Sequence, residues 1–188
     1  GGIAGAELVT EQPIRMLESG PAAGVLAAIH FSKLLKLPNM VTFDMGGTTA
    51  KVGLVKNHKA RKANNFEFGR VARLMRGSGL PVKVPIIELI EIGAGGGSVA
   101  SVDKIGLIQV GPKSAGSNPG PACYGLGGSL PTVTDANLIL GYLNPDYFLG
   151  GQILLQRSAS LRAMAQLGKG TGISIEVLAR GIFRIVNQ

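Results

Sequence analysis

Two short apolar runs, Met40 to Asp44 and Lys51 to Val55, flank Gly46-Gly47-Thr48-Thr49. Runs this short, bounded by turn residues, do not suit helices and read as two β-strands joined in a hairpin. The tip of that hairpin is chemically specific. An acid, Asp44, closes the first run, two glycines follow, and two hydroxyls come after them. Glycine lets successive backbone N–H groups turn toward one anion, with no Cβ in the way. Thr48 and Thr49 add hydroxyl donors. A carboxylate repels phosphate, but Asp44 can hold Mg²⁺ through water, and the metal can bridge to phosphate oxygens. Lys51 contributes a neutralising cation if it faces the same side. The same residues also fit an ordinary Gly-Gly hairpin with exposed threonines, and the spacing of a P-loop is absent.

A second glycine run, Gly93-Ala94-Gly95-Gly96-Gly97-Ser98, follows a strand-like stretch from Val82 to Ile92 that is broken at Pro85. As a dinucleotide fingerprint it fails, because Ser98 stands where the last glycine should be and a strand, not a helix, follows. It reads as a bulged turn or, beside the first loop, as a second approach to a nucleotide through Gly93, Gly95, Gly96, Gly97 and Ser98. Glu91, just before it, is either a site acid or a surface acid at a strand edge.

Residues 111–131 are rich in Gly, Pro, Ser and Asn and form a loop of about 20 residues, a length associated with function. Thr134 is a cap for a helix reaching Leu143. Asp135 is then a base or Mg²⁺ ligand, or else a first-turn acid that complements the helix dipole. Cys123 has no His or acid beside it in sequence and reads as a buried thiol. His30 lies on an apolar helix and His58 among basic residues in solvent. Two lone histidines give no metal-ligand spacing.

The chain of 188 residues suits one domain or two small ones, and its 45% hydrophobic content supports a core. A mostly buried helix is expected over Ala22–Leu37, stopped by Pro38. A hairpin is expected over Val99–Val110, and a helix over Ser160–Leu167. A last helix starts at Ser174, with Leu178, Ile182, Ile185 and Val186 on one face. That pattern reaches Gln188 with no stop signal, so the natural chain is expected to continue.

One cysteine excludes an intramolecular disulfide, and a cytoplasmic setting fits. No apolar run approaches the ~20 residues that cross a bilayer, so no membrane association is expected. The net charge is +8, with Lys56, Lys59, Arg61, Lys62, Arg70, Arg73 and Arg76 close together. Only Phe66 and Phe68 interleave with them and no nucleic-acid motif appears. A solvated loop or a face for an acidic partner fits better than a nucleic-acid surface.

Five segments stand in a telling order: Ser19-Gly20-Pro21-Ala22-Ala23-Gly24, Asp44 to Lys51, Glu91 to Ser98, Asn118 to Gly125, and Thr132 to Asn137. In that order they resemble the hydantoinase A/oxoprolinase family. The resemblance implies an α/β fold of the actin-like ATPase (ribonuclease H-like) kind, here partial, with a mixed sheet and flanking helices. Residues 1–188 would be part of a hydantoinase A domain holding its second phosphate loop, without the N-terminal lobe and the C-terminal continuation. It implies ATP and Mg²⁺ as cofactors, Asp44 as metal ligand and Asp44 and Asp135 as catalytic acids. Gly46, Gly47, Thr48, Thr49, Lys51, Gly93, Gly95, Gly96, Gly97 and Ser98 would bind nucleotide.

The activity implied is ATP-dependent opening of a cyclic amide of hydantoin or 5-oxoproline type. Phosphorylating the amide oxygen makes its carbon electrophilic, and water opens the ring. A hydantoinase B-like subunit is implied as partner in a hetero-oligomer. A related branch is the nucleotide-using subunit of ketone carboxylases, and a non-catalytic nucleotide-binding or assembly module is a third reading. Isolated, the 188 residues are expected to be inactive.

Overall fold

The structure, a computed structural model, describes residues 3–68 and 79–188. Arg70, Arg73 and Arg76 lie outside the described residues. The chain divides into two units, residues 1–44 with 51–92, and residues 45–50 with 93–188.

The first unit opens with α1 (Ala6–Glu11), a 3-10 turn (Pro13–Met16) and α2 (Ser19–Leu34). The strands β1 (Met40–Met45), β2 (Ala50–Lys56), β3 (Lys59–Ala60), β4 (Lys62–Ala63), β5 (Phe66–Phe68), β6 (Leu80–Val82), β7 (Ile86–Ile87) and β8 (Leu89–Ile92) follow. β2 is the hub of a four-stranded sheet and pairs with β1, β3 and β8. β4 with β7 and β5 with β6 form separate antiparallel pairs. Pro85 stands in the break between β6 and β7, directly before β7, and the stretch 80–92 becomes three short strands.

α2 buries Ala22, Val25, Ala28 and Ser32, one narrow stripe at helical spacing. The expectation of a mostly buried helix is therefore corrected: Phe31, Leu34 and Leu35 are exposed. Small residues on the stripe let the helix lie close to the sheet, over Val55, Ile87, Met40 and Leu89. Gly53 completes the fit, since a Cβ there would come within 2.5 Å of Thr42 Oγ1 and closer still to Val25. Thr42 Oγ1 instead accepts the Gly53 N–H at 3.0 Å.

Asn57 and His58 both have positive φ, the conformation that a two-residue hairpin turn demands. His58 is not free in solvent as expected. It is half-buried, with Nδ1 3.0 Å from the hydroxyl of buried Ser32.

The second unit pairs β9 (Ser98–Val102) with β10 (Ile108–Ser114), antiparallel, with Ile108 opposite Val102. Three helices follow, α3 (Val133–Ile139), α4 (Arg157–Leu167) and α5 (Ile175–Val186). Ala100, Val133, Ala136, Ile139, Met164, Ala179 and Ile182 form the core. Leu178 and Ile182 are fully buried, as the spacing from Ser174 requires, and Ser174 accepts the Val177 N–H. The expected loop over 111–131 is shorter at its start, because β10 runs on to Ser114, and it contains a 3-10 turn at Ala122–Tyr124. No described helix is long and apolar enough to cross a membrane.

Candidate functional site

The turn Gly46–Thr49 closes on itself, with the Gly46 N–H donating to the Thr49 carbonyl at 2.9 Å. The second glycine run packs against it by backbone alone. Gly96 N–H donates to the Gly46 carbonyl at 3.0 Å, and Gly97 N–H to the Gly47 carbonyl at 2.7 Å. Gly95 is required by contact: a Cβ there would lie 2.6 Å from both Gly47 C and Thr48 N, and 2.7 Å from the Gly46 carbonyl. So Gly46, Gly47, Thr48, Thr49, Gly95, Gly96, Gly97 and Ser98 are brought together in the second unit.

Further residues hold the pair of loops. The Gly95 N–H donates to Ser98 Oγ at 2.9 Å. Thr134 donates to the Gly96 carbonyl through both its N–H and its hydroxyl, each at 2.9 Å. Ser114 Oγ accepts from Gly116 N–H and donates to the Gly47 carbonyl at 3.4 Å. Ser114 was not visible in the sequence, because it stands 67 residues from Gly47 and belongs to none of the motifs. With the carbonyls of Gly46, Gly47 and Thr49 engaged, the exposed part of the turn keeps open amides. Gly47 and Thr48 are exposed, and among the described residues their N–H groups donate to no protein acceptor. Adjacent open amides on a rigid turn suit an anionic oxygen.

Asp44 is the penultimate residue of β1, in the first unit, exposed, and its carboxylate takes no ion pair or hydrogen bond among the described residues. No group of three or more potential metal ligands exists among those residues. A single free carboxylate fits Mg²⁺ nonetheless, since that ion keeps several waters and takes its other ligands from phosphate.

Lys51 departs from expectation. It lies on β2 in the first unit, mostly buried, with Nζ bound to Glu18 and 3.8 Å from Glu91. With Ile86, Ile87 and Leu89 these groups line a cavity of about 40 Å³. Alternation along β2 explains it: Lys51, Gly53 and Val55 share the face that α2 covers. Its ammonium is therefore neutralised by carboxylates and is not offered to phosphate.

Asp135 is the second correction. It is fully buried and accepts five hydrogen bonds, from the N–H groups of Ala122, Cys123 and Thr132 and the hydroxyls of Thr132 and Ser160. Those donors occupy the lone pairs of a carboxylate. No capacity is left for a metal. Thr132, not Thr134, caps α3, and Asp135 completes a capping box with it. The residue ties the 111–131 loop to α3 and α4.

Cys123 is buried as expected. Desolvation, reinforced by the Asp135 charge, pushes its thiol up to about 12. The neutral thiol is the form the fold holds. This group's contribution to stability is complete below the ordinary thiol value of 9.0 and is lost as pH rises toward 12. Alkylation by iodoacetamide at pH 8.5 is expected to leave the folded protein unlabelled and to modify Cys123 at once in denaturant. Labelling of the native protein at the unfolded rate would contradict this environment.

An α/β chain built on paired glycine loops with open amides is of the ATPase-like kind. Two solved structures share the fold. Acetone carboxylase in its nucleotide-free form superposes with a TM-score of 0.78 at 31% identity, covering 90% of this chain and 23% of that one. The ATP-dependent caprolactamase of Pseudomonas jessenii superposes at 0.71 with 42% identity, again over 90% and 23%.

By sequence, the chain is 45% identical over its full length to a protein of Methanocaldococcus jannaschii, of which it covers 28%. It is 41% identical to the caprolactamase alpha subunit of Pseudomonas jessenii, covering 26% of it. The Hydantoinase/oxoprolinase family matches residues 1–188, and the chain belongs to that family. It spans about a quarter of the length of these relatives.

Proposed function

We propose that this chain is part of an ATP-dependent subunit that opens a cyclic amide by phosphoryl activation, and that the Gly46–Thr49 turn on its Gly95–Ser98 support receives nucleotide phosphate. One observation carries the reading: the turn is held by its carbonyls, so the amides of Gly47 and Thr48 are free and fixed in direction. Preorganised donors of this kind stabilise phosphate charge without reorganising as the reaction proceeds.

In this reading Asp44 holds Mg²⁺ through water, and Thr48 and Thr49 lend hydroxyls to the phosphates. ATP supplies a phosphoryl group to the amide oxygen; the chain's own residues bind, orient and neutralise. Asp135 and Lys51 act at one remove, through the loop and the α2–sheet contact they organise. A hydantoinase B-like partner in a hetero-oligomer and a cytoplasmic setting complete the proposal. The 188 residues alone are inactive in it.

The carboxylase alternative draws on a specific likeness, 40% identity to the acetophenone carboxylase gamma subunit of Aromatoleum aromaticum over 93% of this chain. Assaying the full-length subunit with its partner separates the two. Mg·ATP-dependent opening of hydantoin, 5-oxoproline or caprolactam, with ADP formed, is the expected result. ATP-dependent carboxylation of a ketone with no ring opening would move the assignment to the carboxylase branch.

A further inference from the structure

The tip of the β2–β3 hairpin sets two like charges against each other. Lys56 stands directly opposite Lys59, beside the Asn57-His58 turn. Side chains paired in this way have Cβ atoms about 5 Å apart, and like charges so placed destabilise a sheet. Both lysines are exposed, and neither forms an ion pair among the described residues. Glu67 is the only acid in the sequence between Lys56 and Lys83. The hairpin cannot splay to relieve the repulsion, because it is pinned from behind. The Asn57 N–H donates to Asn39 Oδ1 at 3.2 Å, the His58 N–H donates to the Pro38 carbonyl at 3.0 Å, and His58 Nδ1 lies 3.0 Å from Ser32 Oγ. Lys56, Lys59 and Arg61, with Asn57 and Ala60, line an open pocket of about 370 Å³. Arg61 also pairs with Glu88 at 3.0 Å, so the uncompensated charge of the pocket comes from the two lysines.

We propose that this pocket binds a phosphate group, as free phosphate or on a small phosphate monoester, at a site separate from the Gly46–Thr49 turn. The ligand's charge follows from the lysine pair. A carboxylate brings one negative charge, enough for one ammonium. Phosphate brings about −1.5 to −2 at neutral pH, with its acceptor oxygens in one compact group, so a single ligand neutralises both lysines. Lysine suits the task, because its ammonium is a point charge on a flexible stem and two of them can converge on one group. The pocket has room for that group and several waters. These residues lie at the end of β2 away from Lys51 and take no part in the proposed nucleotide site, so the inference does not rest on that reading.

The test uses the full-length subunit with Mg·ADP present. Inorganic phosphate and methyl phosphate are titrated by calorimetry into the unmodified protein and into the double variant Lys56→Gln/Lys59→Gln. The expected result is saturable binding that the double variant weakens about tenfold or more. Tighter binding of methyl phosphate assigns the site to an ester, and equal or weaker binding assigns it to the free ion. Urea unfolding gives a second reading. Without phosphate the double variant, relieved of the repulsion, unfolds at or above the midpoint of the unmodified protein; saturating phosphate raises the unmodified protein past it. Equal phosphate binding by both proteins, no binding at all, or the same order of midpoints with and without phosphate would overturn the proposal. So would lysine-dependent binding confined to a single-stranded oligonucleotide or to poly-glutamate, titrated alongside, which would make the face a docking surface for a macromolecule. Failure of ADP to bind would count against the proposed function and leave the lysine comparison intact.

Discussion

Gly95→Ala in the full-length subunit is expected to lower nucleotide affinity at least tenfold and to cost about 2 kcal/mol of stability or more. The added methyl would stand 2.6 Å from backbone atoms of Gly47 and Thr48, where no flexible side-chain end can yield. Either the two loops separate or the turn tilts, and both outcomes redirect the amides meant for phosphate. Gly47→Ala is the informative comparison. Nothing lies within 4 Å of a Cβ at that position, so the fold should tolerate it. Calorimetric titration with Mg·ATP, paired with denaturant unfolding, separates the two variants. Unchanged affinity in Gly95→Ala would show that the contact between the loops is incidental to binding.

The second large effect is expected at Asp135. Asp135→Ala strips the acceptor from three buried N–H groups and two hydroxyls at once. Each unsatisfied buried donor costs ~1–3 kcal/mol, and the losses overlap because they share one cavity. A destabilisation on the order of 4 kcal/mol follows. Ser160→Ala removes one of the five and is expected to cost ~1–2 kcal/mol. Urea unfolding of both variants in the full-length subunit measures this. A near-neutral Asp135→Ala with lost turnover would instead return the carboxylate to the catalytic role that its place in the motif suggested.

Asp135 also shows where sequence reading stopped. Its neighbours in sequence show a helix start and an acid, which is equally a capping box and a catalytic carboxylate. The donors that decide between them include Ala122, Cys123 and Ser160, up to 25 residues away. Local strand and helix identity was legible because period and turn chemistry are local: β1, β2, the β9–β10 hairpin and α5 stand near where the pattern put them. Burial was not, and α2 shows why. Its composition is apolar over much of its circumference, yet one helix on one sheet face can cover only one stripe.

The glycine loops fell between these cases. Their residue types announced a backbone-mediated site, and the pairing of Gly96 with Gly46 and Gly97 with Gly47 gave that chemistry a geometry. Lys51 was misjudged for want of one fact, that β2 turns its odd-numbered residues toward α2, where Glu18 waits. Glu18 itself carried no signal in the sequence. It precedes α2 in a left-handed conformation at φ 57°, outside any recognisable motif.

Titrating Mg·ATP into the full-length subunit by calorimetry, with and without Asp44→Ala, bears most directly on the central claim. Binding by the unmodified protein, with Mg²⁺-dependent affinity reduced at least tenfold in Asp44→Ala and a fold unchanged by circular dichroism, is the predicted result. Equal binding by both proteins, insensitive to Mg²⁺, would contradict the assignment of the nucleotide to the turn that follows Asp44.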